Sequence, residues 1–223
     1  MPSSPQAASS LPPALRSAAA AARSPRGGRR QLVLRAALRC FEREGFHRTS
    51  MATVIEEAGV SAGTVYRYFP SKTDLIRACA DEVSVSVAEV VEGFRGRETP
   101  PGPQEVVGRL LEAAFDVGRR YDVDLTRIVV SIWAEALRDP PLLESVRELY
   151  LDLRTAMADL ARTWIAQAPP ASASELPVDP DLVAQALFGA VPGYIVQHLL
   201  LGGMDVASYT RGLADLARFA DPR

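Results

Sequence analysis

The sequence predicts an all-α protein of about nine helices, and three observations carry that expectation. From Arg29 onward apolar residues recur at spacings of three and four, as in Val33, Ala37 and Phe41; this is the period of one helix face. No stretch alternates apolar and polar residues with the period of two that marks a half-buried strand. Capping and breaking residues fall between the periodic runs, where helices must start and stop. With 223 residues, 48% of them apolar, the chain suits one or two domains around a sizeable core.

The elements follow in order. Residues 1–28 are rich in Pro, Ser, Ala and Gly, lack apolar periodicity and read as a disordered N-terminal tail. Arg16, Arg23, Arg26, Arg29 and Arg30 could touch phosphates there without sequence preference. The first helix begins near Arg29 and Gly45 stops it, since glycine readily takes the positive φ of a helix end. Thr49 and Ser50 offer an N-cap to a short second helix carrying Val54, Ile55 and Ala58. Gly59 ends that helix. Ser61 caps a third, from Ala62 to about Phe69, and Pro70-Ser71 closes it. Ser71 can cap a fourth helix starting near Lys72, with Asp74 favourably placed in its first turn. The later helices are expected at roughly 72–95, 104–120, 123–138, 141–168, 179–202 and 205–220.

Net charge is -2, which on its face argues against a polyanionic partner. The average conceals a split. Residues 1–77 hold 12 Lys and Arg against 5 Asp and Glu, a net of +7; the remainder holds 13 against 22, a net of -9. A basic module joined to an acidic one points to a polyanion-binding unit attached to a unit with another task. Cys40 and Cys79 cannot form a disulfide scaffold and read as small buried residues in a reducing cytoplasm. The run Leu182–Leu201 is long enough to span a bilayer. It contains Gln185, Pro192, Gly193, Gln197 and His198, so it reads as a helix buried against protein. The chain is therefore expected to be soluble and cytoplasmic, with no membrane partner.

The stretch from Thr49 to Lys72 carries the functional signature. Two helices of about two turns, joined at Gly59, make a helix-turn-helix, locked by Val54, Ala58, Val60 and Val65. Small residues at the start of the second helix, Ala62-Gly63, let its N-terminus sink into a major groove, where Thr64 and Arg67 can reach base edges. Tyr66, Tyr68 and Lys72 carry donors that can meet phosphates. Phe69 is expected in the local core. The domains are set at 29–76 for this unit and 77–223 for the rest.

The run from Phe46 through Ala58-Gly-Val-Ser-Ala-Gly-Thr-Val-Tyr-Arg-Tyr-Phe-Pro-Ser-Lys72 to Ile76 closely resembles the DNA-binding domain of the TetR/AcrR family of bacterial transcriptional regulators. Ala36-Ala37-Leu38 with Phe41, Gly45 and Phe46 looks like that family's first helix. The resemblance implies double-stranded operator DNA as a partner. It implies that Thr49 and Ser50 donate to phosphate, with Ser61 at the start of the reading helix. Gly63, Thr64, Arg67 and Tyr68 would face the groove, while Tyr66 and Lys72 would clamp the backbone. Lys72 is the only lysine in the chain. Arg35 and Arg39 depart from the family's usual first helix; they either strengthen attraction to DNA or decorate a solvated face.

The resemblance further implies a C-terminal domain that binds a small effector and pairs in a homodimer. The helix around 179–202 is apolar nearly all round, more than a monomer surface tolerates. Gly189 and Gly193 permit close helix approach there, and Pro192 is expected to kink it. Phe188, Gly189, Val196, Tyr209, Leu213 and Leu216 are assigned to the dimer interface, the last three sharing one face of the final helix. Phe115, Trp133, Tyr150, Met157, Trp164, Tyr194 and His198 are the candidate pocket lining.

An enzyme is not expected, nor a cofactor or metal. Glu44 and His47 superficially match a di-iron motif, but that motif needs two copies and Gly45 separates the pair. Walker-type loops are missing from the sequence, and with no strand expected there is no strand-to-helix turn to form a nucleophile elbow. The competing reading is a DNA-binding regulator without a small-molecule effector, controlled by a partner protein or acting as an activator. A closed C-terminal core would favour it; a cavity of roughly several hundred Å³ would favour an effector.

Overall fold

A computed structural model describes residues 28–94, 97, 99–167 and 178–219. The tail expected over 1–28 therefore lies outside the described residues, apart from Gly28. Nine helices and no strands are present among the described residues: α1 (Arg29–Arg48), α2 (Met51–Ala58), α3 (Ala62–Tyr68), α4 (Lys72–Phe94), α5 (Pro103–Tyr121), α6 (Leu125–Ala136), α7 (Pro140–Gln167), α8 (Pro180–Leu201) and α9 (Val206–Phe219).

The caps explain the boundaries. Ser50 Oγ accepts from the Thr53 amide at 3.1 Å and Ser61 Oγ from the Thr64 amide at 3.3 Å. Ser71 and Asp74 form a reciprocal box, Asp74 accepting the Ser71 amide at 3.0 Å while Ser71 Oγ accepts the Asp74 amide at 3.2 Å; each satisfies a donor that the helix leaves orphaned. Gly59 ends α2 with φ 61° and ψ 28°, a left-handed conformation that a β-carbon penalises. Gly45 behaves differently from the expected stop. At φ 75° and ψ 162° it interrupts α1, which resumes on its far side as far as Arg48. Phe41 and Phe46 pack across that interruption with ring centroids 5.5 Å apart, burying both flanks.

One core holds Leu34, Leu38, Phe41, Val54, Val65, Phe69 and Ile76, and continues without a break into Val117, Leu125, Ile128 and Leu142 of α5, α6 and α7. Packing thus does not separate at residue 77, because α4 runs through both units and α1 lies along α6. A second core joins α4, α5, α7 and α8 through Val87, Val91, Val107, Leu111, Met157 and Ala184. Phe69 and both cysteines are buried. α8 continues through Pro192 as a single helix. By length and composition it is the one helix among the described residues able to cross a membrane, yet it packs along α7, α5 and α6.

Arg35 and Arg39 lie on a solvated face, as one of the two expectations had it, and reach the α5–α6 junction from there. Arg35 Nη2 donates to the Arg120 carbonyl at 3.4 Å, and Arg39 pairs with Asp122 at 3.3 Å. On the same face of α1, Gln31 accepts from the Tyr121 hydroxyl at 2.6 Å and Glu42 accepts from the Asp124 amide at 2.7 Å. This polar seam fastens the first helix to the α5–α6 junction.

Candidate nucleic-acid interface and cavity

The helix-turn-helix presents one open end. Gly63, Tyr66, Arg67 and Tyr68 are exposed, the two tyrosines by 48% and 36%. Their hydroxyls are therefore available to a partner. Arg67 Nη2 donates to the Tyr68 hydroxyl at 3.1 Å, and its guanidinium carbon lies 4.8 Å from that ring. The pair therefore offers a pre-positioned planar fork. Ser50 is exposed, and Ser61 and Thr64 share a hydroxyl hydrogen bond at 2.9 Å on the same edge.

Two assignments need correction. Thr49 is only 1% exposed, and its hydroxyl lies 2.9 Å from the Gly45 carbonyl and 3.2 Å from that of Cys40. Its donor is spent inside the protein, whereas the neighbouring Ser50 is exposed. Lys72 Nζ donates to the carbonyls of Phe46 and Thr49 at 3.0 Å and of His47 at 3.4 Å, and sits 4.2 Å from the Phe46 ring centroid. All three of its protons are taken by the end of α1. Desolvation pulls its pKa below the ordinary lysine value, with the Glu135 charge opposing. Lys72 is a clasp for the α1–α2 junction, not a backbone clamp. Lys72→Met should accordingly lower stability by about 1–3 kcal/mol, read as a fall in melting temperature. The salt dependence of DNA binding should keep its slope.

Helices α4 to α8 line a partly open apolar cavity of about 120 Å³, smaller than the several hundred Å³ expected for a drug-sized effector. Trp133, Tyr150 and Met157 line it as expected, and so does Phe188. Phe188, expected at the dimer interface, packs its ring on Tyr150 at 5.1 Å.

The other pocket candidates lie elsewhere. Trp164 Nε1 donates to the Pro101 carbonyl at 2.6 Å. Phe115, Tyr194 and His198 form an aromatic knot with Tyr209. Tyr194 Oη and His198 Nδ1 both donate to the Met204 carbonyl at 3.1 Å, pinning the α8–α9 turn. Tyr209 donates to the Ala190 carbonyl at 2.8 Å, and Leu213 packs on the second core. Both stay partly exposed while packing within the chain. Gly193 is closed off by Tyr209, whose hydroxyl would lie 3.4 Å from a β-carbon.

Gly189, Val196 and Leu216 do remain on the surface. Leu182 and Leu200, 64% and 78% exposed, extend the Gly189–Val196 row along α8.

Comparison with known proteins decides the family. Residues 33–79 match the model described as bacterial regulatory proteins, tetR family, and residues 103–221 match the BetI-type transcriptional repressor C-terminal model. The chain belongs to the tetR family. Relatives within it are transcriptional regulators. BetI 2 of Chromohalobacter salexigens is 24% identical over 145 residues, covering 65% of this chain and 68% of that one. UidR of Escherichia coli K12 is 28% identical over 134 residues, covering 60% and 64%. With a BetI of Stenotrophomonas maltophilia included, the chain spans between 57% and 68% of these relatives' lengths.

Solved tetR-type folds agree. Salmonella enterica GusR superposes with a TM-score of 0.61 at 26% identity, over 84% of this chain and 94% of that one. A regulator from Saccharomonospora viridis, crystallised with choline, superposes with a TM-score of 0.64 at 22% identity, over 85% and 95%; at that identity the likeness concerns the fold.

Proposed function

We propose that this tetR-family regulator acts in the cytoplasm as a homodimeric repressor that reads a palindromic operator and is released by a small molecule. The observation that carries the reading is the exposed Tyr66-Arg67-Tyr68 head set on a scaffold that also holds an apolar cavity. Ser50, Ser61, Gly63, Thr64, Tyr66, Arg67 and Tyr68 are the proposed DNA contacts. The proposed dimer face is the row Leu182, Gly189, Val196 and Leu200 of α8, with Leu216 of α9. Exposed apolar side chains in one row favour burial against a second copy by the hydrophobic effect. The same pairing accounts for a helix so apolar and so little covered within one chain.

Release follows from shared elements. Cys79, Ala80 and Val83 of α4 line the cavity, while Glu82 of the same helix pairs with Arg120 at 3.6 Å beside the α1 seam. A ligand that favours a shifted α4 would bias the position of α1 and hence the separation of the two heads. The small cavity volume is what keeps the second reading, control by a partner protein, in view. Selection of duplexes from a random pool tests the proposal: the expected product is an inverted repeat with half-sites about 34–36 Å apart. Recovery of no common motif would reject it.

A further inference from the structure

The cavity wall is formed by twenty residues, none of them charged. Valine, leucine, isoleucine and alanine dominate it. Among the side chains, hydrogen-bonding N–H and O–H groups come from Trp133 and Tyr150 alone. Those two groups are not equivalent. The Trp133 indole N–H donates to the Tyr150 hydroxyl oxygen, so the indole is satisfied. The Tyr150 proton has no acceptor given to it among the described residues. Burial pushes the phenol up to about 12, with the indole bond opposing, so the group keeps that proton at any physiological pH. A half-buried donor facing an apolar wall gains a hydrogen bond when a ligand brings an acceptor to it.

The aromatic side chains do not form an open cage for a cation. Trp133 and Phe188 both pack against the Tyr150 ring, at 6.5 Å and 5.1 Å and at steep interplanar angles of 78° and 66°. A cation entering this wall would lose its water and find no carboxylate.

Resting on the reading of the chain as effector-controlled, we infer that the cavity takes a small uncharged ligand, an apolar or aromatic body bearing one hydrogen-bond acceptor that Tyr150 donates to, and that it rejects quaternary ammonium compounds. The size limits the body to a single ring: an apolar cavity of about 150 Å³ holds a benzene-sized molecule, and this one, of about 120 Å³, is open on one side so that a substituent can project out of it. This ligand class sets the chain apart from the solved relative that was crystallised with choline.

The test is calorimetric titration of the intact protein, without DNA, using three probes. Acetophenone has the required acceptor, α-methylstyrene has the same shape without it, and choline is the cation. Acetophenone should bind saturably, one per chain and about tenfold more tightly than α-methylstyrene, with choline giving no saturable heat. Tyr150→Phe should erase the tenfold preference and spare α-methylstyrene binding. Because that change also strips the Trp133 N–H of its acceptor, Ala114→Leu, elsewhere in the lining, provides a second variant, expected to weaken both aromatic probes alike. Saturable choline binding, no acetophenone binding to the folded wild-type chain, or a preference unmoved by Tyr150→Phe would each overturn the inference. DNA binding measured separately stays intact in those cases if only the ligand class is wrong, and fails if the regulator reading is wrong.

Discussion

Arg67→Ala should cost the dimer about 30-fold to 10⁴-fold in operator affinity. A bidentate arginine contact to a base edge is worth about 1–3 kcal/mol, and a symmetric dimer loses two of them. Position supports the assignment: Arg67 stands exposed on α3, between two exposed tyrosines, with its guanidinium held over the Tyr68 ring. Tyr68→Phe is the informative companion. It removes the hydroxyl that Arg67 donates to at 3.1 Å while leaving the ring, so it should weaken operator binding less than Arg67→Ala does. Neither change touches the core, and the melting temperature should hold. Fluorescence anisotropy with the selected duplex and a scrambled one separates the effects, since loss of a base contact lowers affinity for the first much more than for the second. Equal affinities of wild type and Arg67→Ala would show that α3 is not the reading helix.

Gly189→Glu should abolish operator binding without unfolding the chain. A β-carbon at Gly189 meets no atom within 4 Å in one chain, and the residue lies in the exposed apolar row of α8. Within a monomer the new carboxylate points to solvent. Across a two-fold axis it would place two like charges in a dry interface, at a cost of several kcal/mol. Two heads that must act together would then act singly. The loss of avidity from separating them is typically 10²-fold or more. Sedimentation at micromolar concentration should report a monomer of unchanged helicity. A Gly189→Glu chain that still sediments as a dimer would move the interface elsewhere.

How much of this was legible in the sequence depends on what each residue's role rests on. Caps are local: a serine's oxygen bonds an amide three residues on, so Ser50, Ser61 and Ser71 marked their helices correctly from sequence. The aromatic head was legible too, because exposure on a short helix follows from its three- and four-residue apolar spacing. Thr49 and Lys72 were not: the Thr49 hydroxyl turns back to carbonyls four and nine residues earlier, Lys72 reaches carbonyls 23 to 26 residues earlier, and a hydroxyl or ammonium gives no clue in sequence to the direction it takes. A usable signal did exist for the seam. Gln31, Arg35, Arg39 and Glu42 fall on one stripe of α1, opposite its buried residues, and such a polar row beside an apolar face calls for a polar neighbour.

α8 posed the reverse difficulty. A helix apolar all round has no periodicity to tell its inner face from its outer one. Phe188 therefore went to the dimer face although it lines the cavity. The net charge of -2 was equally uninformative until it was divided between a basic reading unit and an acidic remainder.

The central claim is that two chains read one operator, and native mass spectrometry of the protein on its selected duplex tests it most directly. Two chains of 24.1 kDa each per duplex is the predicted stoichiometry, falling away in Gly189→Glu. A single chain bound per duplex, at full affinity, would contradict it.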